Sequence, residues 1–122
     1  MRTQTLRPEI WTKFFYEFNR GHMGWPVTIE TMRGEASPKL ADELAFQGIS
    51  FDTKGSAANT LLISVGDSPQ AHLEHAVYLP LHIRQIEGHQ GSVHLLIEPA
   101  KGEPTVVHLH PPSHQSGPAV RL

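Results

Sequence analysis

The chain has 122 residues, no cysteine, and ten Lys and Arg against twelve Asp and Glu, for a formal charge of −2. Such a length suits a single domain that buries about two-thirds of its unfolded surface, enough to fold without a covalent or metal staple. The missing cysteines exclude disulfides, thiolate zinc sites, iron–sulfur clusters and cysteine nucleophiles, and the scatter of positive residues from Arg2 to Arg121 argues against a nucleic-acid surface.

The first residues, MRTQTLRPEIW, lack the unbroken apolar stretch of a signal peptide. Residues 8–20 then read as an amphipathic helix. Pro8 suits its first turn, Glu9 and Lys13 form an i,i+4 pair, and Gly21 offers a left-handed stop. Ile10, Trp11, Phe14, Phe15 and Phe18 make a wide apolar stripe, so the helix either covers a sheet or anchors on a partner protein. In the second case Trp11, Phe14, Phe15 and Phe18 are the interface residues.

From Trp25 the period changes to two. Trp25, Val27 and Ile29 alternate with Pro26, Thr28 and Glu30 in a strand that ends near Arg33-Gly34. Glu35–Glu43 reads as a loop or a helical turn, and Ala45–Thr53 as a second strand with Ile49 and Phe51 on one side. Lys54-Gly55-Ser56 turns the chain into Thr60–Val65, and Gly66-Asp67-Ser68-Pro69 reads as the next turn. Leu73–Glu87 is the longest extended stretch, with Leu73, Val77, Leu79, Leu81 and Ile83 inward and Glu74, Tyr78, His82 and Arg84 outward. Pro80 falls on the outward parity and demands an edge, a bulge or a break. A turn at Gly88–Gly91, a strand at Ser92–Glu98, a turn at Ala100–Glu103 and a strand at Thr105–His110 complete a domain of residues 1–110, leaving 111–122 as a loose tail. The expected fold is α+β and mainly β: one N-terminal helix packed on a small antiparallel barrel or strongly bent sheet of six or seven strands. No apolar run approaches a membrane span, so the expectation is a soluble cytoplasmic protein with no membrane insertion.

Histidine is the unusual component. Protonating all nine would move the formal charge from −2 to +7. The last hairpin fixes where several of them point. Keeping Leu95, Ile97, Val107 and Leu109 on the core face pairs Leu95 with Val107 and Ile97 with Thr105. His94 then lies across from His108, with His110 two residues along the same outer face. The preceding strand brings Arg84 or Ile86 beside His94, and His82 near Leu96 or Glu98. Two readings compete for this face: a divalent-metal site, such as zinc, on His94, His108 and His110, or a solvated sheet surface. Two or three imidazoles on a convex face, with Glu98 alone to orient them, fall short of a zinc set, so no cofactor is expected. His72 and His75 stand three apart, do not share a strand face, and read as strand-end histidines. No Ser occupies a Gly-x-Ser-x-Gly elbow, and the glycines stand singly at turns rather than in a phosphate loop.

The segments GHMGWPVTIETM, ELAFQGISFD, LLISVGD, HLEHAVYLPLHIRQIEG and LLIEPAKGEPTVVHLH together resemble a family of small bacterial proteins known only as a domain of unknown function. The resemblance spans about residues 8–110. It implies an aromatic helix followed by a barrel-like run of strands, and it supplies no activity, cofactor or catalytic residue. His75, in Leu73-Glu74-His75, is the histidine that matches the family's Leu-x-His.

These features lead to a non-enzymatic binding or accessory module acting through protein–protein contacts, with a second copy or another subunit as partner. Metal binding on the outer histidine face and a small nucleic-acid-binding barrel are the alternatives. His75, His82 and Arg84 are the candidate ligand-contacting residues.

Overall fold

Period-two alternation of apolar residues dominates the chain after residue 25, and it produces a sheet with one face sealed from water. A computed structural model of the chain describes residues 2–52, 59–68 and 70–112. Its elements are β1 (Arg2–Leu6), α1 (Trp11–His22), β2 (Pro26–Thr31), β3 (Lys39–Asp52), β4 (Thr60–Ser68), β5 (Ala71–Tyr78), β6 (Pro80–Glu87), β7 (Val93–Pro99) and β8 (Thr105–Leu109). All eight strands form one antiparallel sheet in the order β1-β6-β7-β8-β2-β3-β4-β5. The sheet is open, because its outermost strands, β1 and β5, do not pair with each other. The fold class is therefore the expected α+β with a bent antiparallel sheet. The barrel is not closed, and the described residues form eight strands where six or seven are expected.

Two strands escape the periodicity. β1 pairs with β6 through Arg2–Leu6, a segment whose only buried residue is Leu6. The stretch expected as one long strand is split in two at Leu79, whose φ is +53°. The break demanded by Pro80 is thus present, and it resets the parity. Pro80 turns inward and is buried, while Leu79 and Leu81, expected inside, are exposed. A bulge between Pro80 and His82 then restores Ile83 to the core. The expected turn at Gly66–Pro69 is also displaced. Gly66 to Ser68 continue β4 through a bulge. At Gly66 the backbone φ is +135° and a Cβ would sit 2.0 Å from the Ala71 carbonyl oxygen, so only glycine fits. The turn expected at Lys54-Gly55-Ser56, Pro69 and residues 113–122 of the expected tail lie outside the described residues.

The helix begins with a 3-10 turn at Pro8–Ile10 and runs through Gly21 to His22, so Gly21 is not its stop. Gly24, with φ +84°, takes the left-handed position instead. Trp11, Phe15 and Phe18 are buried against the sheet, with Phe14 partly so. The Trp11 ring meets Phe51 edge-on at 5.2 Å, and Phe18 meets Phe46 at 5.8 Å. Burial against its own sheet takes Trp11, Phe15 and Phe18 out of a partner's reach.

One polar contact locks helix to sheet. Asn19 donates from Nδ2 to the Ile49 carbonyl oxygen and accepts the Ile49 N–H at Oδ1, both at 2.9 Å. Truncating it orphans a backbone donor and an acceptor in a half-buried seam. Asn19→Ala is therefore expected to destabilise the chain by about 2 kcal/mol. Gly66→Ala, which drives a Cβ into backbone, is expected to cost at least about 2 kcal/mol. Urea titration of the variants against the parent chain checks both values.

Candidate functional site

The core face of the central strands reads as three cross-strand rows: Val93–Leu109–Val27, Leu95–Val107–Ile29 and Ile97–Thr105–Thr31. The first two rows are aliphatic. The third ends in two threonines that face inward, buried at 1% and 8% exposure respectively for Thr105 and Thr31. Polar groups at core parity need partners from across the fold. Thr105 has one. His75, on β5 with Leu73 and Val77 as its same-face neighbours, reaches over the core, and its Nε2 lies 3.0 Å from Thr105 Oγ1. This bridge joins the edge strand β5 to the inner strand β8. Thr31 Oγ1, by contrast, is buried with no hydrogen-bond partner among the described residues.

These three side chains line a cleft of about 230 Å³ at the mouth of the curled sheet. Ala76, Val77, Tyr78 and Pro99 give it an apolar wall, and Lys101 and Glu103 stand at its rim. Glu103 is already committed, accepting from Arg33 Nε at 2.7 Å, whereas Lys101 has no ion-pair partner among the described residues. The rim is fixed by backbone. Leu79 N–H donates to the Asn59 carbonyl and the Leu79 carbonyl accepts from Ala100 N–H, both at 2.8 Å. Those two bonds account for the unusual left-handed backbone of Leu79.

In the tautomer whose Nε2 accepts from the Thr105 hydroxyl, His75 carries Nδ1–H as a donor; in the other, Nε2–H donates to Thr105. Thr105 is too deeply buried for its oxygen to approach a substrate carbonyl. Burial holds the His75 imidazole below the ordinary histidine pKa, so it is neutral at pH 7.

The outer face follows the expected register. His94 lies opposite His108, Ile86 opposite His94, Arg84 opposite Leu96 and His82 opposite Glu98. The two rings of His94 and His108 share a hydrogen bond, Nδ1 to Nδ1 at 2.8 Å. His108 Nε2 lies 3.5 Å from Glu30 Oε1 on β2. His110 does not join them. A bulge in β3 opposite Thr28 aims Glu43 at His110, with Nε2 and Oε2 3.4 Å apart. Arg84 pairs with Glu98 at 3.5 Å, and His82 is exposed. Among the described residues no three His, Asp or Glu side chains are grouped to hold a metal ion. His94 and His108 spend facing nitrogens on each other, and the nearest carboxylates are tied to single partners. His94 is held below the usual histidine value by burial first, then by the charges of His108 and His110.

This arrangement, an aromatic helix on an open eight-stranded sheet, coincides with a family model that matches residues 2–118 and is described as a family of unknown function, DUF5335. The chain belongs to the DUF5335 family. The match covers every described strand, so the cleft and the outer histidine face both fall inside the DUF5335 region. No curated protein and no solved structure matches the chain. Among the described residues no helix is long and apolar enough to cross a membrane.

Of the residues expected to carry function, the structure brings His75 to the cleft, gathers His94 with His108, and leaves His82, Arg84 and His110 apart. His75 sits inside β5 rather than at a strand end. Thr31, Tyr78 and Lys101 were not singled out by sequence. The available signal was threonine at core parity in two neighbouring strands.

His75 and His94 are both harder to protonate in the folded chain than in the unfolded one. As the pH falls through about 6.5, the unfolded chain takes up protons first. Stability that is full above that value is therefore lost on acidification toward the lower folded values. Urea midpoints are expected to fall between pH 7.5 and 5.5, with a shallower fall in His75→Gln and in His94→Asn. Equal slopes in all three proteins would remove these imidazoles as the cause.

Proposed function

We propose that the chain is a non-enzymatic binding module whose ligand site is the cleft at the mouth of the sheet. The observation that carries this reading is the Thr31 hydroxyl, buried with no partner among the described residues, on a residue that lines a preformed concavity with His75. An unsatisfied buried hydroxyl costs about 1–3 kcal/mol. A core that keeps one at a cleft gains when a ligand supplies the missing partner. The apolar wall with a few convergent polar groups fits a small-molecule site. The volume is below the ~300–1,000 Å³ common for drug-sized ligands, so the ligand is small.

A second reading, contact with a protein partner or a second copy, is favoured by one exposed corner. Tyr78, Leu79 and Leu81 are 68%, 53% and 52% exposed and adjoin the cleft, with Tyr78 belonging to both. Contiguous exposed apolar groups of this kind often mark an interface. The outer histidines give a metal reading no such support.

Amide spectra of the 15N-labelled chain, recorded with a panel of small polar compounds, test the first reading. Saturable shifts are expected at Thr31, His75, Lys101 and Thr105. Shifts confined to other regions would sink it. Sedimentation equilibrium tests the second: a dimer weakened by Leu81→Lys supports it, and a monomer at 0.5 mM (roughly the upper limit for a weak pair) opposes self-association.

A further inference from the structure

We infer that the cleft takes a small monocarboxylate with a short apolar body, an inference that rests on the cleft being the binding site. The charge of the ligand follows from the rim. Glu103 is neutralised by Arg33 at 2.7 Å, and Lys101 is left as the uncompensated charge among the lining residues. A cationic ligand would face that ammonium with no free carboxylate to offset it. An anion meets the Lys101 ammonium at the entrance and, on two other residues that line the cleft, groups able to donate: the His75 imidazole and the Thr31 hydroxyl, which is buried with no partner among the described residues. Those are the three kinds of donor that a carboxylate's two oxygens accept.

A single negative charge is favoured over a phosphate dianion. Among the described residues one ammonium supplies the fixed charge, and neither an arginine fork nor a helix N-terminus lines the cleft. Phosphate sites are built from such elements. The body of the ligand is set by the remaining wall. Ala76, Val77, Tyr78 and Pro99 offer no charged group, so the part of the ligand away from the carboxylate is apolar or aromatic. His75 is neutral when the cleft is empty, and an anion beside it favours its protonated form. Binding therefore draws a proton onto His75 and tightens as the pH falls from 8 to 6.

Titration of the 15N-labelled chain with benzoate, benzamide and inorganic phosphate tests the inference, read at the cleft amides and the His75 ring nitrogens. Benzoate is expected to saturate near ~1 mM and to raise the pH at which His75 titrates. Benzamide, of the same shape without charge, is expected to bind about tenfold more weakly or worse, as the loss of a charge-assisted hydrogen bond requires. Lys101→Gln should weaken benzoate about tenfold. Thr31→Val should weaken it as well while leaving the melting temperature unchanged or raised, since it deletes the unpartnered hydroxyl in nearly the same shape. Benzamide binding as tightly as benzoate would overturn the charge assignment and leave the cleft as a binding site. Phosphate binding more tightly than benzoate would overturn the monocarboxylate. Silence at the cleft for all three would remove the inference and the binding-site reading together.

Discussion

The architecture turns on a single carboxamide. β3 is fourteen residues long and has β2 on one side as far as Ala45 and β4 on the other from Phe46 onward. Past Phe46 the side that faced β2 is left open, and the Ile49 N–H and C=O have no strand to bond. Backbone groups in that position must find partners. Asn19 carries one donor and one acceptor at nearly the spacing of a peptide group, so its side chain stands in for a strand. The same contact sets the crossing of α1 over the corner of the sheet. Trp11, Phe15 and Phe18 then have only one direction in which to pack, onto Phe46, Ile49 and Phe51. The helix is thereby committed to the core, and the bend between the two halves of the sheet is braced from inside.

What was legible from sequence is what a local pattern encodes. The β7–β8 register follows from one comparison: slipping by a residue would trade Val107 for His108 on the core face, and the structure has the pairing that avoids it. The α+β class and the inward set on β2 and β4 follow likewise. The misses share a different origin. β1 has no alternating apolar face, because it is an edge strand that buries only Leu6. The break at Leu79 was signalled by Pro80, but the change of parity depends on bonds to Asn59 and Ala100, which are distant in sequence. The cleft was half visible. Threonine at core parity in β2 and β8 is a readable anomaly, whereas the fold of β5 across β8 that delivers His75 is a non-local fact.

The two histidine environments differ in what they ask of a proton. On the outer face, His94 and His108 face each other nitrogen to nitrogen, so one ring must donate and the other accept. Burial disfavours charge on His94, and His108 Nε2 has Glu30 Oε1 3.5 Å behind it. His75 faces a hydroxyl, which accepts or donates equally well. Its bridge survives either protonation state.

The position of β8 in the sheet has a consequence for how the molecule is made. It lies between β7 and β2, so it is the seam that joins β1-β6-β7 to β2-β3-β4-β5. β2-β3-β4-β5 and β6-β7 are runs of sequence neighbours that can form by local hairpins, whereas β1 joins β6 across most of the chain. On a ribosome, both groups emerge before residues 105–109 do, and the β2 edge, with Val27 and Ile29 behind it, waits uncovered until the seam closes. Thr105 arrives with that same strand and carries the far end of the His75 bridge. The cleft therefore exists only once β8 has joined the two groups of strands, because its floor is Thr105 and its wall comes from both of them.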